Sequence, residues 1–265
     1  VARDDARLAS VKAGLKFINP TLDVWVLPAW DCLPFDRLSP QGRLVGMRIE
    51  TLARLCAAEA PSILLTTINA IVQKLPPADY FTDSSLVITP ASTQSPASLA
   101  EYLSNHAYLR TDTVRETGEF AIRGGIVDVF PPGQSDPVRL DFFGDEIETM
   151  RVFDAATQRS TGRLDRLILR PVSEFMLSDA SISRFRTGYL QAFGGSASRD
   201  TLYESVSAGR MHPGIEHWLP LFHDHLATLA DYCPGWPLFL DHEGDAAYVA
   251  RQTQIQDFFE ARNQH

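Results

Sequence analysis

Residues 118–154 read GEFAIRGGIVDVFPPGQSDPVRLDFFGDEIETMRVFD, and their alternation and turn residues decide the fold of the middle of the chain. The pattern predicts three antiparallel strands joined by two turns. PPGQSD, from Pro131 to Asp136, is the loop, and Gly144-Asp145 fits a two-residue hairpin with glycine at the first turn position. Gly124-Gly125 falls inside a strand pattern and shifts the parity of the apolar residues, the mark of a bulge. In the strand from Val138 to Phe143, alternation sets Val138, Leu140 and Phe142 on one face and Arg139, Asp141 and Phe143 on the other. Arg and Phe are among the residues enriched where two proteins meet, so the second face is a candidate interface or an ordinary solvated sheet face.

Outward from this stretch, the preceding residues alternate strands and helices. Leu8, Val11, Leu15 and Ile18 recur at helical spacing behind the candidate caps Asp4 and Asp5, and the helix should stop before Asn19-Pro20. Asp23 to Leu27 reads as a buried strand, Pro28 to Pro40 as a proline-punctuated loop pinned by Trp30 and Phe35, and Gln41 to Ala60 as a helix with Val45, Ile49, Leu52 and Cys56 on one stripe. Ile63 to Thr66 is a second buried strand, and Asn69 begins a short helix that Pro76-Pro77 ends. Apolar strands alternating with helices imply a parallel sheet. Such a domain usually opens on a strand, so a first strand and turn are expected ahead of Val1.

The character changes near Leu86. Ser95-Pro96 caps a helix carrying Leu99 and Leu103, and the antiparallel stretch follows. From Pro171 the helical period returns: Ser178 caps a helix bearing Ile182, Phe185, Tyr189 and Phe193, ended by Gly194-Gly195, and a shorter helix with Leu202 and Val206 closes at Gly209. The segment HPGIEHWLPLFHDH is loop-like, Pro237 to Leu240 reads as a short strand, and a last helix begins near Asp245. The expected organisation is residues 1–85 as an incomplete α/β part, 86–170 as a small inserted α+β domain, and 171–265 as the completion of the first part.

Composition narrows the function. At 265 residues, 45% hydrophobic and 22% charged, the chain can bury a real core. A formal charge of -9 excludes a strong electrostatic grip on nucleic acid or an anionic membrane. Cys32, Cys56 and Cys233 are too far apart for a disulfide framework or CxxC site, and no apolar run approaches the roughly 18 residues that span a bilayer. A soluble protein of a reducing cytoplasm is the expectation.

Chemistry finds little to stand on. His223-Asp224-His225 has metal-like spacing but no identifiable third ligand, and a solvated loop is the simpler account. The glycines at 42 and 46 continue into Met47-Arg48 where a phosphate loop requires GK[ST]. Asp141, Asp145, Glu146 and Glu148 read as the wet face of a hairpin, and neither a GxSxG elbow nor a Cys/His signature occurs. Between Leu86 and Arg170 there are nine arginines and no lysine. Arginine suits bidentate pairing with a partner's carboxylates, but twelve Asp and Glu in the same segment offer partners at home, and composition alone favours these.

The run GEFAIRGGIVDVFPPG with PVRLDFFGDEIETMRVFDAATQRS, supported by LPAWDCLPFDRLSP, ILLTTINAIVQKLPP and GIEHWLPLF, closely resembles the N-terminal UvrB-homology module of bacterial transcription-repair coupling factors. The resemblance covers essentially the whole chain. It implies a truncated RecA-like, P-loop-type α/β domain 1, split into parts 1a and 1b around an inserted domain 2 that binds UvrA, the damage-recognition ATPase of nucleotide excision repair. Carried over by motif, the UvrA-binding residues fall on Arg123, Arg139 and Phe143. The implied role is a non-catalytic adaptor without a cofactor, metal or catalytic residue of its own. ATP, magnesium, DNA and RNA polymerase belong to other regions of the family's full-length proteins, an ATP-dependent translocase among them. UvrB differs in its Walker A segment and long tyrosine-rich hairpin, replaced here by the short loop around Pro34 to Pro40. Two alternatives stand beside the adaptor: a UvrB-like nucleotide-hydrolysing or DNA-opening fragment, and a surface that docks autoinhibitorily on other domains of the same protein.

Overall fold

The computed structural model describes residues 1–33, 35–57, 63–195 and 199–263 and has a mixed α/β architecture. Helix α1 (Asp5–Ile18) starts where the Asp4 carboxylate accepts the Arg7 N–H at 2.7 Å. Strand β1 (Val24–Leu27) runs parallel to β2 (Ile63–Thr66), pairing Val24 with Ile63 through Leu27 with Thr66. Helix α2 (Gly42–Cys56) packs Val45, Ile49 and Leu52 on Trp25 and Leu27, while α1 sets Leu8, with Val11 and Leu15, against Leu65 and the other side of the strands. Both faces of the parallel pair are thus covered, as its apolar strands demand. Ile18, on the expected stripe, is exposed. Residues 58–60 of the expected helix lie outside the described residues.

The helix expected from Asn69 is a single turn, α3 (Ile68–Ile71), capped by Thr67. It ends before the prolines because Leu75 exchanges backbone hydrogen bonds of 2.9 and 2.8 Å with Ala227, which fixes the chain in an extended bridge. A short α4 (Asp79–Asp83) follows. In the loop after β1, the Trp30 indole donates to Glu174 at 3.1 Å and Phe35 leans on Phe259 with ring centroids 5.6 Å apart.

Strand β3 (Leu86–Ile88) enters the middle segment and α5 (Pro96–Asn105) begins at Ser95, whose hydroxyl accepts the Ser98 N–H at 3.0 Å. The sheet comprises β4 (Leu109–Arg110), β5 (Glu119–Arg123), β6 (Ile126–Val129), β7 (Val138–Phe143), β8 (Glu146–Phe153) and β9 (Ser160–Arg163), adjacent in that order. β4 and β5 are parallel and the other pairs antiparallel. Strand β10 (Leu167–Leu169) leaves the segment paired antiparallel with β3. The inner face buries Phe120, Val127, Val129, Val138, Leu140, Ile147 and Met150 beneath Leu99 and Leu103 of α5.

The deciding stretch therefore holds four strands, not three. Gly124-Gly125 is a reversal rather than a bulge: Arg123 pairs directly with Ile126, and Gly124 sits at φ +60°, a conformation glycine adopts without steric cost. The parity shift is the turn itself. A bulge does occur further on, where pairing steps from Asp141 opposite Thr149 to Phe142 opposite Ile147, leaving Glu148 as the extra residue. It lets Ile147 and Met150, three apart, both reach the core. Gly144-Asp145 forms the expected two-residue hairpin, with Gly144 at φ +62°.

Beyond β10, α6 (Asp179–Phe193) starts from a Ser178–Ser181 capping box, and α7 (Thr201–Ser207) closes at Gly209, φ +69°. Residues 215–221, expected as loop, form a 3-10 helix. Phe175, Phe185, Tyr189, Tyr203 and Phe222 make a core of their own, while Ala227, with Leu229 and Tyr232 of α8 (Leu229–Tyr232), joins that of α2. Residues 237–240 are not a strand. Backbone hydrogen bonds tie this segment to Val1, whose amine donates to the Phe239 carbonyl at 2.6 Å and whose carbonyl accepts the Asp241 N–H at 2.9 Å. Helix α9 (Gly244–Asn263) ends the described chain.

Helix α2 also carries a fully buried arginine. Arg48 Nε lies 2.5 Å from Glu174 Oε1 and Nη2 3.3 Å from Oε2, and Nη1 donates to the Pro28 carbonyl at 2.8 Å and to Gln73 at 2.9 Å. This network joins α2, the loop after β1 and the segment after β10.

Candidate functional site

The outer face of the sheet is where alternation directs Arg123 from β5, Asp128 from β6, Arg139 and Asp141 from β7, and Thr149 and Arg151 from β8. Register places Asp128 opposite Arg139 and Arg139 opposite Arg151. Asp128 is fully buried, and its carboxylate accepts Arg139 Nε at 2.6 Å and Arg139 Nη2 at 2.8 Å, together with Arg123 Nη2. The Asp128 hydrogen bonds hold the Arg139 guanidinium above its ordinary pKa. The same guanidinium stacks on Phe153, 4.7 Å from the ring centroid. Beside this group, Asp141 accepts the Thr149 hydroxyl at 2.6 Å and Arg151 Nη2 at 2.7 Å.

Arg123 and Arg139 are therefore brought together through one carboxylate, and the in-segment pairing that composition favoured is real for Arg123, Arg139 and Arg151. The Arg123 side chain remains 49% exposed, whereas that of Arg139 is 18% exposed. Phe143 stands apart from them, at the end of β7 before the hairpin turn, 81% exposed. The face is not wholly wet: Val114, Ala121, Phe130 and Phe153 close one end of it with a small apolar cluster.

Asp128 escaped the sequence reading. Its signal was present, a single carboxylate in the apolar run IVDVF at an outward position. Burying it is tolerable because two guanidinia satisfy it.

Elsewhere the candidate chemistry dissolves into structure. His223 donates through Nε2 to the Glu174 carbonyl at 2.8 Å and sits edge-on to Tyr80, burial pushing its pKa down, while Asp224 pairs with Arg184 at 2.6 Å. Among the described residues no group of three or more His, Cys, Asp or Glu could hold a metal. Burial raises the thiols of Cys32 and Cys56 to about 11, away from nucleophilic reactivity. No helix among the described residues is long and apolar enough to cross a membrane.

Residues 86–175, which contain the whole sheet and its outer face, match the UvrB interaction domain family. That match places the six-stranded sheet segment, about a third of the chain, in the class of UvrB interaction domains. Over nearly its full length the chain is similar to transcription-repair-coupling factors. It is 35% identical to that of Haemophilus influenzae over 264 residues, 99% of this chain and 22% of the relative. It is 32% identical to that of Rickettsia bellii over 98% of this chain and 23% of the relative, and 34% identical to that of Escherichia coli over 86% and 20%. The chain belongs to the transcription-repair-coupling-factor family and spans under a quarter of the length of these relatives.

Proposed function

We propose that this chain is a recruiting module that binds UvrA through the outer face of its six-stranded sheet and brings it to stalled transcription complexes for nucleotide excision repair. Arg123 and Arg139 meet acidic groups of UvrA, and Phe143 is the apolar anchor. The observation that carries the reading is Phe143: a phenylalanine held four-fifths in the open at a rigid hairpin end, on the face that also orders two arginines. In this reading residues 86–170 are the UvrA-binding domain 2, and residues 1–85 and 171–265 are parts 1a and 1b of one RecA-like domain, for which the covered parallel pair speaks. The module works without a cofactor of its own, in a bacterial cytoplasm.

Titration of purified UvrA against wild type, Arg139→Glu and Phe143→Ala tests it. A loss of about 2 kcal/mol or more is expected for each. Phe143→Ala changes no internal contact of the core, so unchanged affinity in that variant sinks the assignment even if Arg139→Glu folds poorly.

A further inference from the structure

Three arginines stand in one straight row across the outer face. Arg139 on β7 is directly opposite Arg151 on β8, and Arg151 is directly opposite Arg163 on β9. With strands about 4.8 Å apart, the row runs roughly 10 Å across the sheet. Like charges directly opposite one another destabilise a sheet unless they are compensated. Here the compensation is uneven. Asp128 holds Arg139, Asp141 holds Arg151, and Arg163 has no ion pair among the described residues. The Arg151 side chain is 40% exposed, and every residue of β9 is exposed. Positive charge therefore grows along the row from a buried, neutralised end at Asp128 to an open end at Arg163.

We propose, resting on the recruiting reading above, that the partner surface extends beyond Arg123, Arg139 and Phe143 to Arg151 and Arg163. It takes a cluster of acidic side chains of the partner that lies across the strands, rather than a single carboxylate. Asp128 and Asp141 are positioning residues: each fixes the fork of an arginine on the surface, so less side-chain freedom is lost when the partner arrives. The chemistry fits protein carboxylates and does not require nucleic acid, in keeping with a chain of formal charge -9.

The test measures UvrA affinity of the module for Arg151→Ala/Arg163→Ala, for Arg139→Glu, and for Arg210→Ala as a distant surface control. Roughly tenfold weaker binding is expected for the double variant, with the control unchanged. Loss in Arg139→Glu with none in the double variant overturns the extension alone; no loss in either overturns the recruiting reading with it. The positioning role is read from a cycle. Asp128→Asn should weaken binding roughly three- to tenfold in the wild-type background and not at all in Arg123→Ala/Arg139→Ala. An equal loss in both backgrounds would show that Asp128 acts through the fold in general and overturn the role.

Discussion

Arg48 and Glu174, 126 residues apart, form a two-pronged ion pair from which water is excluded, their side chains 0% and 1% exposed. One partner precedes the six-stranded sheet in sequence and the other follows it. Removing either charge strands the other in the interior. Glu174→Gln is expected to lower stability by about 3–5 kcal/mol, read as a shift of the urea midpoint, and Arg48→Met/Glu174→Leu to recover most of the loss. A Glu174→Gln variant as stable as wild type would contradict the closed network.

Under the proposed role, Phe143 should separate binding from folding. Because its ring is mostly open to water, Phe143→Ala should change stability by no more than about 0.5 kcal/mol while affecting UvrA binding as stated above. Thermal unfolding of the variant checks this. A marked destabilisation would mean that the ring packs at home.

The Gly124-Gly125 reversal depends on a backbone that side chains resist. Gly124→Val at φ +60° should cost about 1–2 kcal/mol, and more than Gly195→Val, where no positive φ occurs. Chemical denaturation of the two variants distinguishes a strained turn from a tolerant one.

Acid should weaken the part of the fold around His223. Burial lowers the pKa of His223, and of His106, below the ordinary histidine value, so the unfolded chain takes up protons that the folded chain refuses. Their effect on stability is constant above the unfolded value near 6.5, and stability then falls as pH drops through that value toward the folded pKa. Thermal midpoints between pH 8 and pH 5 should decline, and His106→Gln/His223→Gln should flatten the decline.

Local signals in this chain were legible and long-range ones were not. Ser95 and Ser178 cap the helices their spacing announced, the runs around Val24–Leu27 and Ile63–Thr66 became a parallel pair, and the alternation of β7 set Arg139 and Phe143 on the outer face. Gly124-Gly125 misled because two glycines in an apolar run are compatible with either a bulge or a reversal, and only the pairing of Arg123 with Ile126 chooses. Pro237 to Leu240 has strand composition, but its backbone joins no ladder among the described residues, and composition alone does not supply a pairing partner. Arg48, Glu174 and Asp128 matter for what they touch across the fold, which one-dimensional periodicity does not carry. The register behind Asp128 is visible in sequence only once the turn is read correctly.

The antiparallel pairing of β3 with β10 makes the entry and exit of the segment holding the six-stranded sheet a two-stranded stem, Leu86 beside Leu169 and Ile88 beside Leu167. One strand ascends into the lobe and the other descends from it. A pull along the stem would stretch both covalent chains together, with little tendency to unzip the hydrogen bonds between them. Tension along the stem is thus carried by covalent bonds rather than by the hydrogen bonds between its two strands.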